Sequence, residues 1–266
     1  MEKVLFVGMP DSIADIAAGE ALKAGLRIGL YFPEASVQET VPDYIKNNAD
    51  YCTGIREELE AAFKQFNPKA IIDFGIRSTE QLQWIYNMAA GNIEQYIYIS
   101  GQADTASCEQ FLFEKFKRDA FPVTLLRTSA TLKAGNSAWL AARLKSGKAV
   151  ISPGDGNRCR QISLPENMGK MIAGFIGKSE SIGQEYILTD GNMVTFDGYV
   201  DAFSGALGIK PEIIHIPQEF LKELEGMEEY TEGNIPVEAQ YNEKAYDDII
   251  KRWFMLVKEF KKNIWQ

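Results

Sequence analysis

The sequence predicts an α/β fold with a doubly wound parallel sheet, and three observations support this class. Short apolar runs such as residues 4–7 and 70–74 recur along the first half of the chain, as is typical of strands buried on both faces. Segments with apolar residues at helical spacing alternate with these runs. Glycine, proline or asparagine ends most of the segments. Repeated strand–helix units favour a parallel sheet whose ligand crevice lies at the carboxyl ends of its strands.

The elements of the first half follow one another in a regular order. A helix begins near Ser12, where Asp15 completes an acidic capping box, and it ends at Gly25. Further helices are predicted over residues 55–66, 79–90 and 109–119. Strands are predicted at residues 4–7, 27–32, 70–74, 96–100 and 123–127.

The pattern changes after about Leu132. Helices are predicted over residues 137–144, 168–176, 196–207 and 246–260, with a loop at 152–157 and strands at 185–188 and 213–217. We expect residues 1–132 to form the domain with the parallel sheet. Residues 133–266 are expected to form a smaller C-terminal lobe that is partly interleaved with this sheet.

Composition excludes several classes of partner. The net charge of −9 repels phosphate backbones, so nucleic acid is not expected as a partner. No stretch reaches the roughly 18 apolar residues of a membrane span, and no membrane is expected either. Three widely spaced cysteines predict a reducing, cytoplasmic location and no metal knuckle. A single histidine, His215, excludes a multi-histidine metal site.

Several segments in the right order resemble extended and atypical short-chain dehydrogenase/reductases, especially the NAD-dependent epimerase/dehydratase group. The resemblance runs through nearly the whole chain up to about Pro217. It is carried by residues 4–8, 96–100, 122–127, 153–156, 183–190, 195–199 and 207–217. It implies a Rossmann-type sheet, a C-terminal lobe that binds substrate, and NAD(P) as the cofactor.

The dinucleotide fingerprint of that family is incomplete in this chain. Its three glycines, which let the backbone approach a pyrophosphate, correspond to Gly8, Asp11 and Ala14. Asp11 puts a carboxylate where the diphosphate belongs and is able to cap the helix itself. Two readings stay open: a self-capped helix without dinucleotide, or altered cofactor binding. The residues expected to contact a cofactor are Gly8, Pro10, Asp11, Ser12, Phe32 and Arg77.

The catalytic motif of the family, Tyr-x-x-x-Lys with a Ser or Thr, is also missing. Its tyrosine and lysine positions correspond to Ala106 and Gln110, and Gln102 falls where the Ser or Thr lies. Tyrosine-dependent hydride transfer is therefore not expected. Polar residues still follow the strand ends, and these are the catalytic candidates: Asp73, Tyr98, Ser100, Gln102 and Asp104. The alternatives are a buried strand position for Tyr98 and a loop cap for Asp73.

The remaining candidates are arginines expected to bind substrate. Residues 154–160 resemble the family's GDGxxxR segment, whose arginine holds the diphosphate of a sugar nucleotide; Arg160 matches it and Arg158 is its neighbour. Arg127 matches an arginine after the strand at 123–127. A surface position explains Arg158 and Arg160 equally well, and a structural role is favoured for Arg127. His215 is predicted to be a half-buried packing residue in a strand rather than a catalytic base.

Three functions follow from these residues. The first is an NAD(P)-dependent epimerase, dehydratase or reductase acting on a nucleotide sugar or a small carbonyl compound. The second is a cofactor-independent enzyme of proton transfer, elimination or cyclisation, and the third is a non-catalytic binding or regulatory protein. Each needs a small-molecule ligand in the crevice and no metal. A homodimer stays open, because Trp253 and Phe254 place aromatic surface on the last helix.

Overall fold

The computed structural model describes residues 2–9, 12–32, 41–100, 105–128, 138–161, 163–222 and 243–264. Its strands are β1 (Lys3–Val7), β2 (Arg27–Tyr31), β3 (Tyr51–Thr53), β4 (Ala70–Asp73), β5 (Gln95–Ser100), β6 (Val123–Thr128), β7 (Val150–Pro153), β8 (Cys159–Gln161), β9 (Glu185–Leu188), β10 (Met193–Thr195) and β11 (Ile213–Ile216). Its helices are α1 (Ser12–Lys23), α2 (Asp43–Lys46), α3 (Arg56–Phe66), α4 (Thr79–Ala89), α5 (Ala106–Asp119), α6 (Ala138–Lys145), α7 (Pro165–Gly174), α8 (Phe196–Leu207), α9 (Gln218–Lys222) and α10 (Glu243–Ile264).

The chain divides into two compact units. The first comprises Met1–Thr131 with Ser163–Asp190, and the second comprises Leu132–Ile162 with Gly191–Gln266. The segment 163–190 belongs to the first unit because it carries β9, which pairs with β6.

The first unit is built on a seven-stranded sheet in the order β3-β2-β1-β4-β5-β6-β9. Every neighbouring pair in this sheet is parallel. The predicted doubly wound parallel sheet is therefore confirmed. The order reverses between β1 and β4, and in sheets of this type the crevice outside the carboxyl ends of the strands opens at such a switch point.

Helices cover both faces of this sheet. On one face α1 and α7 pack closely, because Gly169 has no side chain to collide with Ile16. On the other face lie α3, α4 and α5. Side chains alternate between the faces, so Tyr96 and Tyr98 of β5 point to the second face while Ile97 points to the first. All six residues of β5 are buried, which explains its continuous apolar run.

The second unit has its own core and two small sheets. β7 pairs with β11 in parallel, and β8 pairs with β10 antiparallel. Side chains from α6, α8 and α10 fill the core around these strands, including Trp139, Val200 and Tyr246.

Some predicted boundaries move in the structure. The helix predicted at 109–119 begins earlier, at Ala106, and the one predicted at 168–176 spans Pro165–Gly174 with a proline in its first turn. The loop predicted at 152–157 begins inside β7. β3 has three residues and gave no recognisable sequence pattern. Among the described helices, none combines the length and apolar character required to cross a bilayer.

Candidate functional site

At the switch point of the sheet, two glycines lie in direct backbone contact. Gly8 follows β1 with a positive φ of 93°. A Cβ atom built on Gly8 would lie 2.4 Å from the Cα of Gly75, which follows β4. No side chain fits between these two backbone segments. Gly8 is therefore required by packing, whether or not a dinucleotide binds. Gly75 was not singled out from the sequence, because glycine in a strand-to-helix loop is too common to be a signal.

The other predicted cofactor contacts around β1 and β2 carry few accessible polar groups. Ser12 is exposed at the start of α1, while Ala14 is fully buried at the third glycine position. Phe32, just after β2, is fully buried in the core beneath α1. Its side chain has no oxygen that would hold a ribose. Pro10 and Asp11 lie outside the described residues.

Asp73 ends β4 and is completely buried, with both carboxylate oxygens engaged. The backbone N–H groups of Gly75 and Ile76 donate to its Oδ1 at 3.0 and 2.9 Å. The Tyr96 hydroxyl donates to its Oδ2 at 2.5 Å. Burial raises the pKa of Asp73 to about 6, although these hydrogen bonds oppose the rise. The carboxylate holds the turn after β4, the structural role that sequence left open.

Tyr98 and Arg77 are engaged in the same turn. The Tyr98 hydroxyl donates to the carbonyl of Ile76 at 2.8 Å. The Arg77 guanidinium donates to the carbonyls of Ile76 and Phe74 at 3.0 and 2.6 Å. Burial raises the pKa of Tyr98 well above its usual value, so the phenol does not ionise near neutral pH. Tyr98 thus occupies a buried strand position.

A second polar network lies at the carboxyl ends of β5 and β6, and Glu109 of α5 is its centre. The Ser100 hydroxyl donates to Glu109 Oε1 and lies 2.8 Å from the Thr105 hydroxyl. Arg127 donates to Glu109 Oε2 at 2.6 Å and to Oε1 at 3.4 Å. Its Nη1 also donates to Glu185 of β9 at 2.7 Å. We call Ser100, Thr105, Glu109, Arg127 and Glu185 the strand-end network.

The charges of the strand-end network stabilise one another. Burial raises the pKa of Glu109, but the hydrogen bonds from Arg127 and Ser100 outweigh it and hold the pKa below its ordinary value. Hydrogen bonds to Glu109 and Glu185 raise the pKa of Arg127. Ser100 is buried and donates to a carboxylate that stays ionised. The network therefore ties three strands to α5 and offers no base near neutral pH.

The structure shows what replaces the family's catalytic pair. Ala106 and Gln110 lie one turn apart on α5, and both are exposed. Gln110 donates to Glu114 at 3.0 Å on the helix surface. Glu109 is the residue on this turn that faces the strand ends. Sequence analysis missed Glu109 because its partners Ser100 and Arg127 come from two different strands. Gln102 and Asp104 lie outside the described residues.

The remaining candidates lie in the second unit. Arg158 is exposed in the loop before β8, and Arg160 lies within β8. His215 Nε2 lies 2.7 Å from Asp197 Oδ2, and the buried Ser152 donates to Asp197 Oδ1 at 2.6 Å. Asp197 thus links β7, β11 and the start of α8. The His215 side chain is 46% exposed.

The comparisons with known proteins bear on this arrangement. No family model and no curated protein sequence matches the chain. Solved structures do match. A dTDP-glucose 4,6-dehydratase from Bacillus anthracis in complex with NAD gives a TM-score of 0.66 at 16% identity, covering 82% of this chain and 85% of that one. A UDP-glucose 4-epimerase from Thermotoga maritima with UDP-glucose gives 0.64 at 12% identity, with coverages of 81% and 85%.

A third similar structure is the UDP-glucose 4-epimerase of Thermus thermophilus in complex with NAD, at a TM-score of 0.60 and 16% identity, with coverages of 81% and 86%. The chain therefore has the Rossmann-like fold of NAD-dependent epimerases and dehydratases. The resemblance to extended short-chain dehydrogenase/reductases is confirmed at the level of the fold. Identities this low do not transfer an activity.

NAD is the cofactor implied by this fold class, and the described residues do not fit its redox use. Gly8 is committed to packing against Gly75, and Phe32 is buried. Backbone groups of the turn after β4 bind three of the candidates. Asp73 accepts from the N–H of Gly75, Arg77 donates to the carbonyl of Phe74, and Tyr98 donates to the carbonyl of Ile76. Within the described part of the chain, no group of three or more His, Cys, Asp or Glu is arranged to hold a metal ion.

Proposed function

We propose that this chain is a non-redox member of the epimerase and dehydratase fold class that binds a nucleoside diphosphate compound. The strand-end network carries the proposal. It occupies the end of β5 and the start of α5, where the fold class has its catalytic residues, and each of its side chains is bound to another. Hydride transfer needs a group that exchanges a proton with substrate near neutral pH. Asp73 is completely buried and does not reach a substrate, and the hydroxyls of Tyr98 and Ser100 donate to Ile76 and Glu109 within the protein, so none of the three meets this requirement.

The ligand class follows from the fold and from the sequence. The similar structures hold NAD or UDP-glucose, and both compounds contain a nucleoside diphosphate. Arg158 and Arg160 supply the guanidinium groups that pair with diphosphate oxygens in the resembling segment. The second unit, Leu132–Ile162 with Gly191–Gln266, acts in this proposal as the substrate-binding unit.

Binding is tested by thermal unfolding of the purified chain with UDP-glucose, NAD or NADP added separately. A ligand at about 100 times its Kd adds about 2.7 kcal/mol to the stability of the folded state. We expect a rise of several degrees in Tm with UDP-glucose or with a dinucleotide, which distinguishes the two sources of diphosphate. No rise with any of the three compounds would contradict the binding proposal.

Paired variants locate the binding site. Arg158→Gln with Arg160→Gln is expected to weaken UDP-glucose binding by at least about 100-fold, since each of the two charge-assisted hydrogen bonds contributes about 1.5–3 kcal/mol. Lys210→Gln removes an exposed cation from the same unit and serves as the control. Equal affinities for all these proteins would exclude the GDGxxxR-like segment as the diphosphate site.

The second candidate function is an NAD(P)-dependent epimerase, dehydratase or reductase that acts on a nucleotide sugar or a small carbonyl compound. The likeness to NAD-bound structures favours it. Its catalytic groups would have to be Gln102 and Asp104, since the described candidates are engaged. A cofactor-independent reaction at Asp73 is disfavoured, because that carboxylate is completely buried. A cytoplasmic location and a homodimer remain predictions.

A further inference from the structure

The helix α10 changes character half way along its length. Its first eight residues, 243–250, contain three acids and one lysine. Residues 251–258 contain two lysines and one arginine and no acid. From Lys251 to Gln266 the sequence has five basic residues and one acid, a net charge of +4. The rest of the chain then carries −13, because the whole chain carries −9.

The first half of α10 is fixed to the second unit. Arg143, which is almost completely buried, donates to Asp247 at 2.7 Å. Lys148 donates to Glu243 and Asp247 at 2.9 and 3.0 Å. The buried Tyr246 hydroxyl accepts from the backbone N–H of Ile151 at 2.6 Å. Glu243 and Asp247 are therefore used in holding the helix in place, whereas the third acid, Asp248, accepts from Lys251 at 3.1 Å on the helix surface.

The second half presents large apolar side chains to solvent. Phe254, Met255 and Leu256 are 52%, 60% and 47% exposed. Inward contact is limited to half-buried side chains such as Trp253, whose ring centroid lies 5.4 Å from that of Phe220. Three consecutive exposed residues of this size are unusual on a protein surface and mark an interaction site.

Basic and apolar side chains alternate around the outward arc of this half. A helix advances 100° per residue, so Phe254, Met255 and Leu256 spread over about 200° of its circumference. Lys251 and Lys258 lie between Phe254 and Met255 on this projection, and Arg252 lies between Met255 and Leu256. All three cations are exposed. This arc is called the basic apolar face.

We propose that the basic apolar face binds the surface of an anionic lipid bilayer. Phe, Met and Leu side chains enter the boundary between headgroups and acyl chains, while Lys and Arg reach back to the phosphates. The positive charge that complements an anionic bilayer is confined to this segment, because residues 251–266 carry +4 and the rest of the chain carries −13. A protein partner is less well matched, since residues 251–258 include no Ser, Thr, Asn or Gln for directional hydrogen bonds. This proposal departs from the sequence prediction that no membrane is a partner. That prediction was based on the lack of a spanning segment, and surface attachment needs none.

The proposal is tested by sedimenting the full chain with vesicles of phosphatidylglycerol or of phosphatidylcholine. We expect binding to phosphatidylglycerol that weakens as salt is added, and little binding to phosphatidylcholine. The variant K251Q/R252Q/K258Q is expected to bind phosphatidylglycerol about 100-fold more weakly, at about 1 kcal/mol per basic residue near the surface. The control K64Q/K117Q/K210Q makes the same change in net charge at exposed sites elsewhere and is expected to bind as the wild type does.

A second variant separates the apolar contribution. Phe254→Ser with Leu256→Ser leaves every charge in place and is expected to lower binding at least tenfold. Equal binding of all variants, or binding to both lipids alike, would overturn the proposal. An absence of vesicle binding would also overturn it. This includes the outcome in which sedimentation equilibrium shows that the chain associates with itself through the basic apolar face. The lipid-binding proposal is independent of the proposed function, so these variants should keep the rise in Tm that UDP-glucose or a dinucleotide causes in the wild type.

Discussion

Asp73 predicts an unusual dependence of stability on pH. Its carboxylate is completely buried, and burial raises its pKa to about 6. The pKa of an unfolded aspartate is about 3.9. Between these values the folded state holds more protons than the unfolded state, so the free energy of unfolding falls as the pH rises. The protonated Asp73 therefore contributes fully to the free energy of unfolding below about pH 4, and this contribution is lost as the pH rises past about 6. The two pKa values differ enough to change stability by about 3 kcal/mol.

Asp73→Asn isolates this effect. Asparagine keeps an oxygen that accepts the N–H groups of Gly75 and Ile76, and its amide faces the Tyr96 hydroxyl, but it does not ionise. Relative to wild type, the variant should gain about 3 kcal/mol in unfolding free energy between about pH 4 and about pH 7.

Urea unfolding followed by circular dichroism at a series of pH values measures this difference. Asp43→Asn, which removes an exposed carboxylate from the first unit, is the matched control and should follow the wild type. A constant difference between Asp73→Asn and wild type across the window would refute the argument, because it would mean that Asp73 does not take up a proton there.

Two further predictions concern the switch point and the strand-end network. Gly8→Ala should lower the free energy of unfolding by about 3 kcal/mol or more, since it adds a Cβ 2.4 Å from Gly75 at a positive φ. The control Gly25→Ala, also at a positive φ but with no atom within 4 Å, should lower it by about 1 kcal/mol. Similar losses of Tm in both variants would contradict the packing argument. Glu109→Gln should cost about 1–3 kcal/mol at neutral pH, whereas the control Glu114→Gln on the helix surface should cost little. Because the pKa of Glu109 is lowered, the stability difference between Glu109→Gln and wild type should shrink as the pH falls through that pKa; a difference independent of pH in acid would count against the ion pair.

Local patterns predicted most of the sheet. The strands 70–73 and 185–188 and the helix 196–207 follow from apolar runs and helical spacing, since these depend on residues close in sequence. They also placed Asp73 and Arg127 at strand ends. Which side chain each of them meets depends on strand order and register, and no local pattern contains that information.

Glu109 and Gly75 illustrate the residues that the sequence did not reveal. Glu109 looks like any acid in the first turn of a helix, but it binds Ser100 nine residues earlier and Arg127 eighteen residues later. Gly75 matters only because Gly8 lies against it. Both cases arise from the parallel arrangement, which brings the carboxyl ends of distant strands to one edge. Ala106 at the position of the family's tyrosine was visible in the sequence, and the ion pair between Glu109 and Arg127 was not.

The most direct test of the proposed loss of redox chemistry is a single-turnover experiment. The purified chain is mixed with NAD and UDP-glucose, and enzyme-bound NADH is followed by its fluorescence, with an active UDP-glucose 4-epimerase as the positive control. We predict binding without the appearance of NADH. Formation of NADH at the rate of a catalytic turnover would contradict the assignment of Ser100, Glu109 and Arg127 to a structural network.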